Sequence, residues 1–354
     1  MIRVLVVDDS ALMRRLLARS LEQEGDIQVV GSAADAYQAR DLLVQLKPDV
    51  ITLDVEMPKM NGLELLRRYM PVLPTPTIMV SAVTGQGSEL AAQCLSAGAV
   101  DVCTKPEGSV GEHGFDGLRD RIRTAAKAKL QRTRAQGPTR TAESMRAHPE
   151  TLVVVGSSTG GVQALDLFLR QWPKMAPPLV LAQHMPTGFT AGLARSLAER
   201  TGLDVKEASP GEHLRPGLVR IAPANDHHTV VVRREGQYAL EMVGGEKVCH
   251  QRPAVDVLFD SAAKVAGRHG VGVLLTGMGR DGAAGLLAMR QAGAYTIGQD
   301  EASSVVYGMP RAAKELGAVD LQLGLDHIVP HLLARLAAEA GPRGDHQENR
   351  SKAS

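Results

Sequence analysis

Residues 1–25 read MIRVLVVDDSALMRRLLARSLEQEG. From Val4 to Val7 apolar residues follow one another without a polar break, the pattern of a strand covered on both faces, and a strand is expected over Ile2–Val7. Asp8, Asp9 and Ser10 end it, and the amphipathic stretch Leu12–Gln23 predicts a helix. The same unit recurs. Strands are expected at Gln28–Val30, Val50–Leu53, Thr77–Val80 and Ala99–Cys103, with helices at Ala34–Leu46, Gly62–Met70, Glu89–Ala97 and from near Phe115. Alternation five times over specifies a five-stranded parallel sheet with helices on both faces.

The character changes after Arg121. The stretch to Glu150 is rich in Arg, Lys, Ala, Thr and Gln, and Gln136–Pro149 reads as a linker. A second α/β pattern opens at Thr151, with strands expected at Leu152–Val155, Leu179–Ala182, Leu218–Ile221, Val271–Leu275 and Ala294–Ile297. Helices are expected at Val162–Arg170, Gly188–Arg200, Val255–Ala266, Gly282–Gln291 and Ile328–Ala340. Thr229–Arg233 and Tyr238–Val243, joined across Glu235-Gly236, predict a hairpin inserted into this pattern. The expected organisation is a first domain over residues 1–122, a linker over 123–150, a second domain with a mostly parallel sheet over 151–342 and a polar tail over 343–354.

Composition narrows the function classes. Of 354 residues, 44% are apolar and 22% charged, an ordinary globular mixture, and Lys plus Arg (40) nearly cancels Asp plus Glu (39). A net charge of +1 speaks against a globally basic nucleic-acid binder, and 3% aromatics speak against stacking platforms for single strands. Cys94, Cys103 and Cys249 form no motif and cannot all pair, as expected in a reducing compartment. Val4–Val7 is too short for a secretory signal, and Met70–Ser88 is broken by Pro71, Pro74 and Pro76. A soluble, cytoplasmic protein is expected.

Two constellations carry chemistry. In the first half Asp8 and Asp9 follow the first expected strand, Asp54 the third, Ser81 the fourth and Lys105 the fifth. Strand ends on this rim of a parallel sheet are where ligands gather. Carboxylates meeting there need a cation, and Mg²⁺ suits them because it takes oxygen ligands and keeps positions open for water and phosphate. A carboxylate, a divalent ion, a Lys and a hydroxyl are what accepting a phosphoryl group onto Asp54 requires. A helix N-cap explains any one of these residues, through Ser10 or Asp9, but not all of them.

VLVVDDS, LDVEMPKMNGLELL, VSA and TKP resemble the receiver domain of bacterial response regulators over about residues 1–120. The resemblance implies a flavodoxin-like fold, phosphorylation at Asp54, and Mg²⁺ held by Asp8, Asp9, Asp54 and the backbone carbonyl of Glu56. It further implies phosphoryl contacts from Ser81 and Lys105 and a cis bond before Pro106. Where receivers commonly carry an aromatic switch residue, this chain has Val102.

In the second half, Val153–Val155 runs into Gly156-Ser157-Ser158-Thr159-Gly160-Gly161, a Gly-x-Ser-x-Gly pattern that sets a serine on a sharp strand-to-helix turn. The turn lacks the Lys of a P-loop, which weakens a phosphate-binding reading. His184 follows the next strand, and Asp281 lies beyond the strand ending near Thr276. Three such residues in three strand-end loops point to a Ser–His–Asp triad of Ser158, His184 and Asp281. Their order differs from the Ser, acid, His order of α/β-hydrolases. Asp256, in a helical setting, is the runner-up for the acid, better read as a cap or ion pair. His227 and His228 are expected in a loop without a metal, His250, Cys249 and Cys103 as structural, and His113 and His269 as surface residues.

GSSTGG, QHMP, RPAVDVLF and LTGMGRDGA resemble the catalytic domain of the chemotaxis protein-glutamate methylesterase family over about residues 150–340. The resemblance implies Ser158 as nucleophile, His184 as base and then acid, Asp281 as its partner, Thr159 as a positioning group and the Met278 N–H as oxyanion donor. It implies a hydrolase that removes methyl esters from glutamates of methyl-accepting chemoreceptors and deamidates receptor glutamines, with no metal in this half. A chemotaxis histidine kinase would be the phosphodonor, the membrane would be met only through receptors, and nucleic acid would not be a partner. Two other classes make different demands on the sequence. A phospho-switched scaffold would not need the intact triad residues, and a transcription factor would need a basic helix-turn-helix after the linker, which the sequence lacks.

Overall fold

A computed structural model describes residues 1–82, 85–105, 115, 117–130 and 147–339. The expected cis bond before Pro106, the expected surface residue His113, most of the linker and the tail lie outside these residues.

The first unit alternates as the sequence predicts: β1 (Ile2–Val7), α1 (Ala11–Leu21), β2 (Ile27–Ala33), α2 (Ala36–Leu46), β3 (Val50–Asp54), α3 (Gly62–Tyr69), β4 (Thr77–Ser81), α4 (Gly85–Ser96), β5 (Asp101–Thr104) and α5 (Leu118–Ala125). The sheet order is β2-β1-β3-β4-β5, with every pairing parallel. Strand order reverses beside β1 and β3, so Asp8 and Asp54 emerge at one crevice. Polar residues cap the helices locally: Ser10 accepts from Met13 N, Asp35 from Tyr37 N and Gln38 N, and Asn61 from Glu64 N. Each satisfies amide groups that the first turn leaves unpaired.

The second unit runs β6 (Leu152–Ser157), α6 (Gly161–Gln171), β7 (Leu179–Gln183), α7 (Thr190–Thr201), β8 (Asp204–Glu207), β9 (Leu218–Ile221), β10 (His228–Arg234), β11 (Gln237–Val243), α8 (Val255–Ala266), β12 (Gly270–Leu274), α9 (Ala283–Gln291), β13 (Tyr295–Gln299), α10 (Met309–Glu315), β14 (Leu321–Leu323) and α11 (Leu325–Glu339). Its seven-stranded sheet has the order β14-β13-β12-β6-β7-β9-β8, and its pairings are parallel, as expected. β10 and β11 form the expected antiparallel hairpin, turned by Glu235 and Gly236, both with positive φ (51° and 79°). The sequence reading lacks β8, β14 and α10. The two strands are short edges in which Val205 alone is fully buried, so no continuous apolar run marks them.

Helix N-termini and strand ends approach closely where glycine permits. A Cβ on Gly156 would lie 2.2 Å from Val255 Cγ1, so the start of α8 presses directly on the end of β6. Cys94 and Cys103 are buried, whereas Cys249 is exposed, on a turn where it and His250 both adopt positive φ; these two are turn residues rather than core. His228 is the first residue of β10 and buried, not in a loop, and no metal need be invoked: its ring bonds Glu246 O and Ala254 N. His269 is half-buried and stacks on His148 at 4.2 Å, so it is not a plain surface residue. Among the described residues no helix is long and apolar enough to cross a membrane.

Because the Val255 side chain packs on the Gly156 backbone and leaves no room for a Cβ, Gly156→Ala is expected to lower stability by about 1–3 kcal/mol through overpacking. Urea unfolding of the two proteins checks this.

Candidate active site

Strand order in the larger sheet reverses at β6, and the ends of β12, β6 and β7 lie side by side there. Ser158 follows β6, His184 follows β7 and Asp281 lies on the loop after β12. The topology thus brings to one rim three residues spread over 123 positions of sequence, from Ser158 to Asp281.

His184 Nε2 lies 2.7 Å from Asp281 Oδ2, with both side chains buried. Asp281 Oδ2 also accepts from Val255 N (2.7 Å) and Oδ1 from Asp256 N (2.9 Å), the first amides of α8. A buried carboxylate needs such partners, and the positive end of a helix supplies two of them. Burial opposes ionisation of Asp281, but the His184 hydrogen bond and the α8 amides outweigh it and hold the carboxyl below its ordinary value. Asp256 sits behind the pair and accepts from Gly285 N (2.7 Å), as a cap does; burial pushes its carboxyl up. It makes no bond to His184, so of the two carboxylates Asp281 is the one that meets the ring.

Ser158 is half-buried and held by its backbone: its N–H donates to Thr276 O (3.0 Å), and its carbonyl accepts from Gly161 N (2.7 Å). With His184 Nε2 turned to Asp281, Nδ1 is the ring nitrogen that this pair leaves unused. Two buried amides that the sequence reading did not single out brace these turns. Gln183 bonds Ser157, Ser158 and His184, and Gln299 Oε1 accepts from Thr276 N (2.7 Å). A Gln just before a rim histidine was the available signal for Gln183; nothing local marks Gln299. Met278 N–H has no hydrogen-bond partner among the described residues, as an oxyanion donor requires, while its half-exposed side chain meets Thr124 Oγ1 on α5.

Thr159 lies beside Ser158, and its hydroxyl donates to Asp101 Oδ2 of β5 (3.0 Å) rather than to Ser158. Asp101 in turn pairs with Arg121 of α5 (2.7 Å). Beside it Gly160 N donates to Val100 O (3.0 Å) and Gln163 Nε2 to Ala99 O (3.0 Å). The α4–β5 segment of the first unit therefore lies across the nucleophile turn. The space left between Leu95, Val100 and Val102 on one side and Ser158, His184 and Met185 on the other is about 10 Å³, barely one water. α4 and α7 touch backbone to backbone at Gly192, where a Cβ would lie 3.0 Å from Ser88 O. Val102 is buried in the continuous core that joins the two units.

On the other rim, carboxylate oxygens of Asp8, Asp9 and Asp54 lie within 4.8 Å of one another. Lys105 Nζ sits 2.8 Å from Asp8 Oδ2 and 2.7 Å from Asp54 Oδ2, and these oxygens accept no other bond among the described residues. Burial pushes the Asp54 carboxyl up to about 6 against the pull of Lys105. Glu56 N donates to Asp54 Oδ1 (3.2 Å). Ser81 Oγ bonds its neighbour's carbonyl, Ala82 O (3.2 Å), rather than Asp54. The acid-only donor set and the free lone pairs fit a hard cation such as Mg²⁺. A larger cavity of about 760 Å³, lined by Arg268, Tyr295 and Arg335, opens at the opposite ends of β12 and β13, away from both constellations.

Residues 153–332 match the family described as CheB methylesterase, and residues 4–110 the response regulator receiver domain. A protein-glutamate methylesterase/protein-glutamine glutaminase of Anaeromyxobacter dehalogenans is 49% identical over 96% of both chains. One from Escherichia coli K12 is 45% identical over 95% of this chain and 97% of its own. The CheB methylesterase catalytic domain of Thermotoga maritima, 39% identical, superposes with a TM-score of 0.51 over 52% of this chain and 98% of its own. Matched end to end and in both halves, the chain belongs to the CheB protein-glutamate methylesterase family.

Proposed function

We infer that the chain hydrolyses γ-glutamyl methyl esters on methyl-accepting chemoreceptors, releasing methanol, and deamidates receptor glutamines by the same route, so serving adaptation in chemosensory signalling. The organisation inferred is a receiver over residues 1–122, a linker over 123–150, the catalytic domain over 151–342 and a tail over 343–354. The protein works in the cytoplasm, where the receptors present their substrate helices. The observation that carries the reading is the buried His184–Asp281 pair beside Ser158 on a glycine-bounded turn.

Ser158 Oγ attacks the ester carbonyl while His184 Nδ1 takes its proton, and Asp281 balances the charge that the ring acquires. The Met278 N–H faces the oxyanion that forms; one such donor is worth about 3 kcal/mol. His184 then returns the proton to the departing methanol, or to ammonia when the substrate is a glutamine. Water, activated by His184, hydrolyses the acyl-enzyme to the glutamate carboxylate. Nothing in these steps calls on a metal.

The receiver controls access. Asp54 accepts a phosphoryl group from a chemotaxis histidine kinase. Asp8, Asp9, Asp54 and the Glu56 carbonyl would hold Mg²⁺, which would supply charge neutralisation for the phosphoryl oxygens. Lys105, which now bridges Asp8 and Asp54, and the Ser81 hydroxyl turn to the phosphoryl oxygens. Repositioning them alters β5 and α4, the elements that cover Ser158, and loosens the Asp101–Thr159 and Gly160–Val100 bonds. A side chain as small as Val102 leaves the hydroxyl shift, rather than an aromatic ring, to carry the signal.

Methanol release from methylated receptor membranes tests both halves. It is expected to require Ser158, being abolished in Ser158→Ala, and to rise with acetyl phosphate and Mg²⁺ in wild type but not in Asp54→Ala. Asp281→Asn is expected to lower kcat by about 10⁴-fold, because the ring loses the carboxylate that fixes its tautomer. Gly192→Leu, which forces α7 away from α4, is expected to raise methanol release without phosphodonor towards the stimulated level. Unchanged basal release in that variant would mean that the α4–α7 contact does not hold the rim closed.

A further inference from the structure

We propose that Gln183 is a positioning residue for the ester hydrolysis: its carboxamide locks the nucleophile turn and the base turn to each other. The inference rests on the reading of Ser158 and His184 as nucleophile and base. Gln183 ends β7 and is 3% exposed. Its Nε2 donates to Ser158 O (2.9 Å) and to His184 O (2.9 Å), and its Oε1 accepts from Ser157 Oγ (2.6 Å). Both amide hydrogens and an oxygen lone pair are thus used, and every bond ends on one of the two turns that carry the chemistry.

Only a carboxamide of this length offers two donors and an acceptor in one rigid plane. A carboxylate would set oxygen against two carbonyls, and an apolar side chain would leave both carbonyls without that partner. The surroundings are cut to admit it: a Cβ on Gly161 would lie 2.2 Å from Gln183 Oε1. Strand pairing between β6 and β7 and the bond from His184 N to Ser157 O (3.1 Å) already align the strands. What the amide adds is the orientation of the Ser158 and His184 peptide planes, and hence of the Oγ and the ring. Misplacement of reacting groups by about 1 Å costs on the order of 10²-fold in rate.

The test uses the full-length protein with acetyl phosphate and Mg²⁺, comparing wild type, Gln183→Met, Gln183→Glu, Ser157→Ala and Ser158→Ala. Two rates are read on the folded protein: methanol release from receptor membranes, and covalent labelling of Ser158 by phenylmethylsulfonyl fluoride, which needs aligned Ser158 and His184 but no receptor. In Gln183→Met both are expected to fall together by about 10- to 100-fold with KM unchanged. Gln183→Glu is expected to fall further. If the Gln183 variants do not fold, Ser157→Ala decides, with an expected fall of about 2- to 10-fold in both rates. Wild-type labelling and kcat in the folded variants, or a change in KM alone, would overturn the proposal. Equal labelling of wild type and Ser158→Ala would instead overturn the triad reading on which it stands.

Discussion

A single buried carboxylate organises the catalytic half of this molecule. Asp281 cannot be buried as an anion unless its oxygens are paired, and the pairing comes from the His184 ring and the first two amides of α8. The loop after β12, the turn after β7 and the start of α8 must therefore meet at one point. Gly156 and Gly282 are side-chain-free where α8 closes on that point; a Cβ at either would collide with Val255. The same pairing occupies Nε2 of His184 and so, in the mechanism proposed, leaves Nδ1 to act as the base.

The second constraint is that the two halves share one rim. The receiver presents β5 and α4 to the nucleophile turn and α7. The contacts there among the described residues include the Gly160–Val100 backbone bond, the Gln163 carboxamide on Ala99 O, one buried hydroxyl–carboxylate bond and the exposed Arg195–Glu89 ion pair (3.4 Å). Asp101 stands between Arg121 of its own unit and Thr159 beside Ser158, so one side chain joins the receiver's interior to the esterase surface. A cover held by a few directional bonds and a modest apolar core can be released by a small movement, because each such bond is worth only about 1 kcal/mol net. In the function proposed above Lys105 starts that movement; it is the partner of both buried carboxylates, Asp8 and Asp54. Phosphorylation changes the charge it answers to.

Much of this was legible beforehand. Fully buried parallel strands must be apolar throughout, so β1, β3, β6 and β7 announce themselves, and residues that emerge at their ends must be polar. That is why Asp8, Asp54, Ser158 and His184 could be named from their places after such runs. The edge strands β8 and β14 bury little, carry mixed residues such as Asp204 and Lys206, and leave no periodic trace. His228 read as a loop residue because its hydrogen bonds go to Glu246 and Ala254, far along the chain.

By itself, then, the sequence determined the two parallel α/β units, their order and the residue types at each rim, because burial dictates which positions are apolar and which chemistry can sit at the exits. Only the tertiary structure decided the partners: that Thr159 answers to Asp101, that Gln183 and Gln299 brace the turns, that His184 meets Asp281 through Nε2, and that the receiver closes over Ser158. Save for Gln183 on its neighbour His184, these contacts join residues 23 to 97 positions apart and are made by side chains whose types suit many partners. A local pattern constrains burial, but a hydrogen-bond partner is chosen by where the folded backbone brings the next polar group.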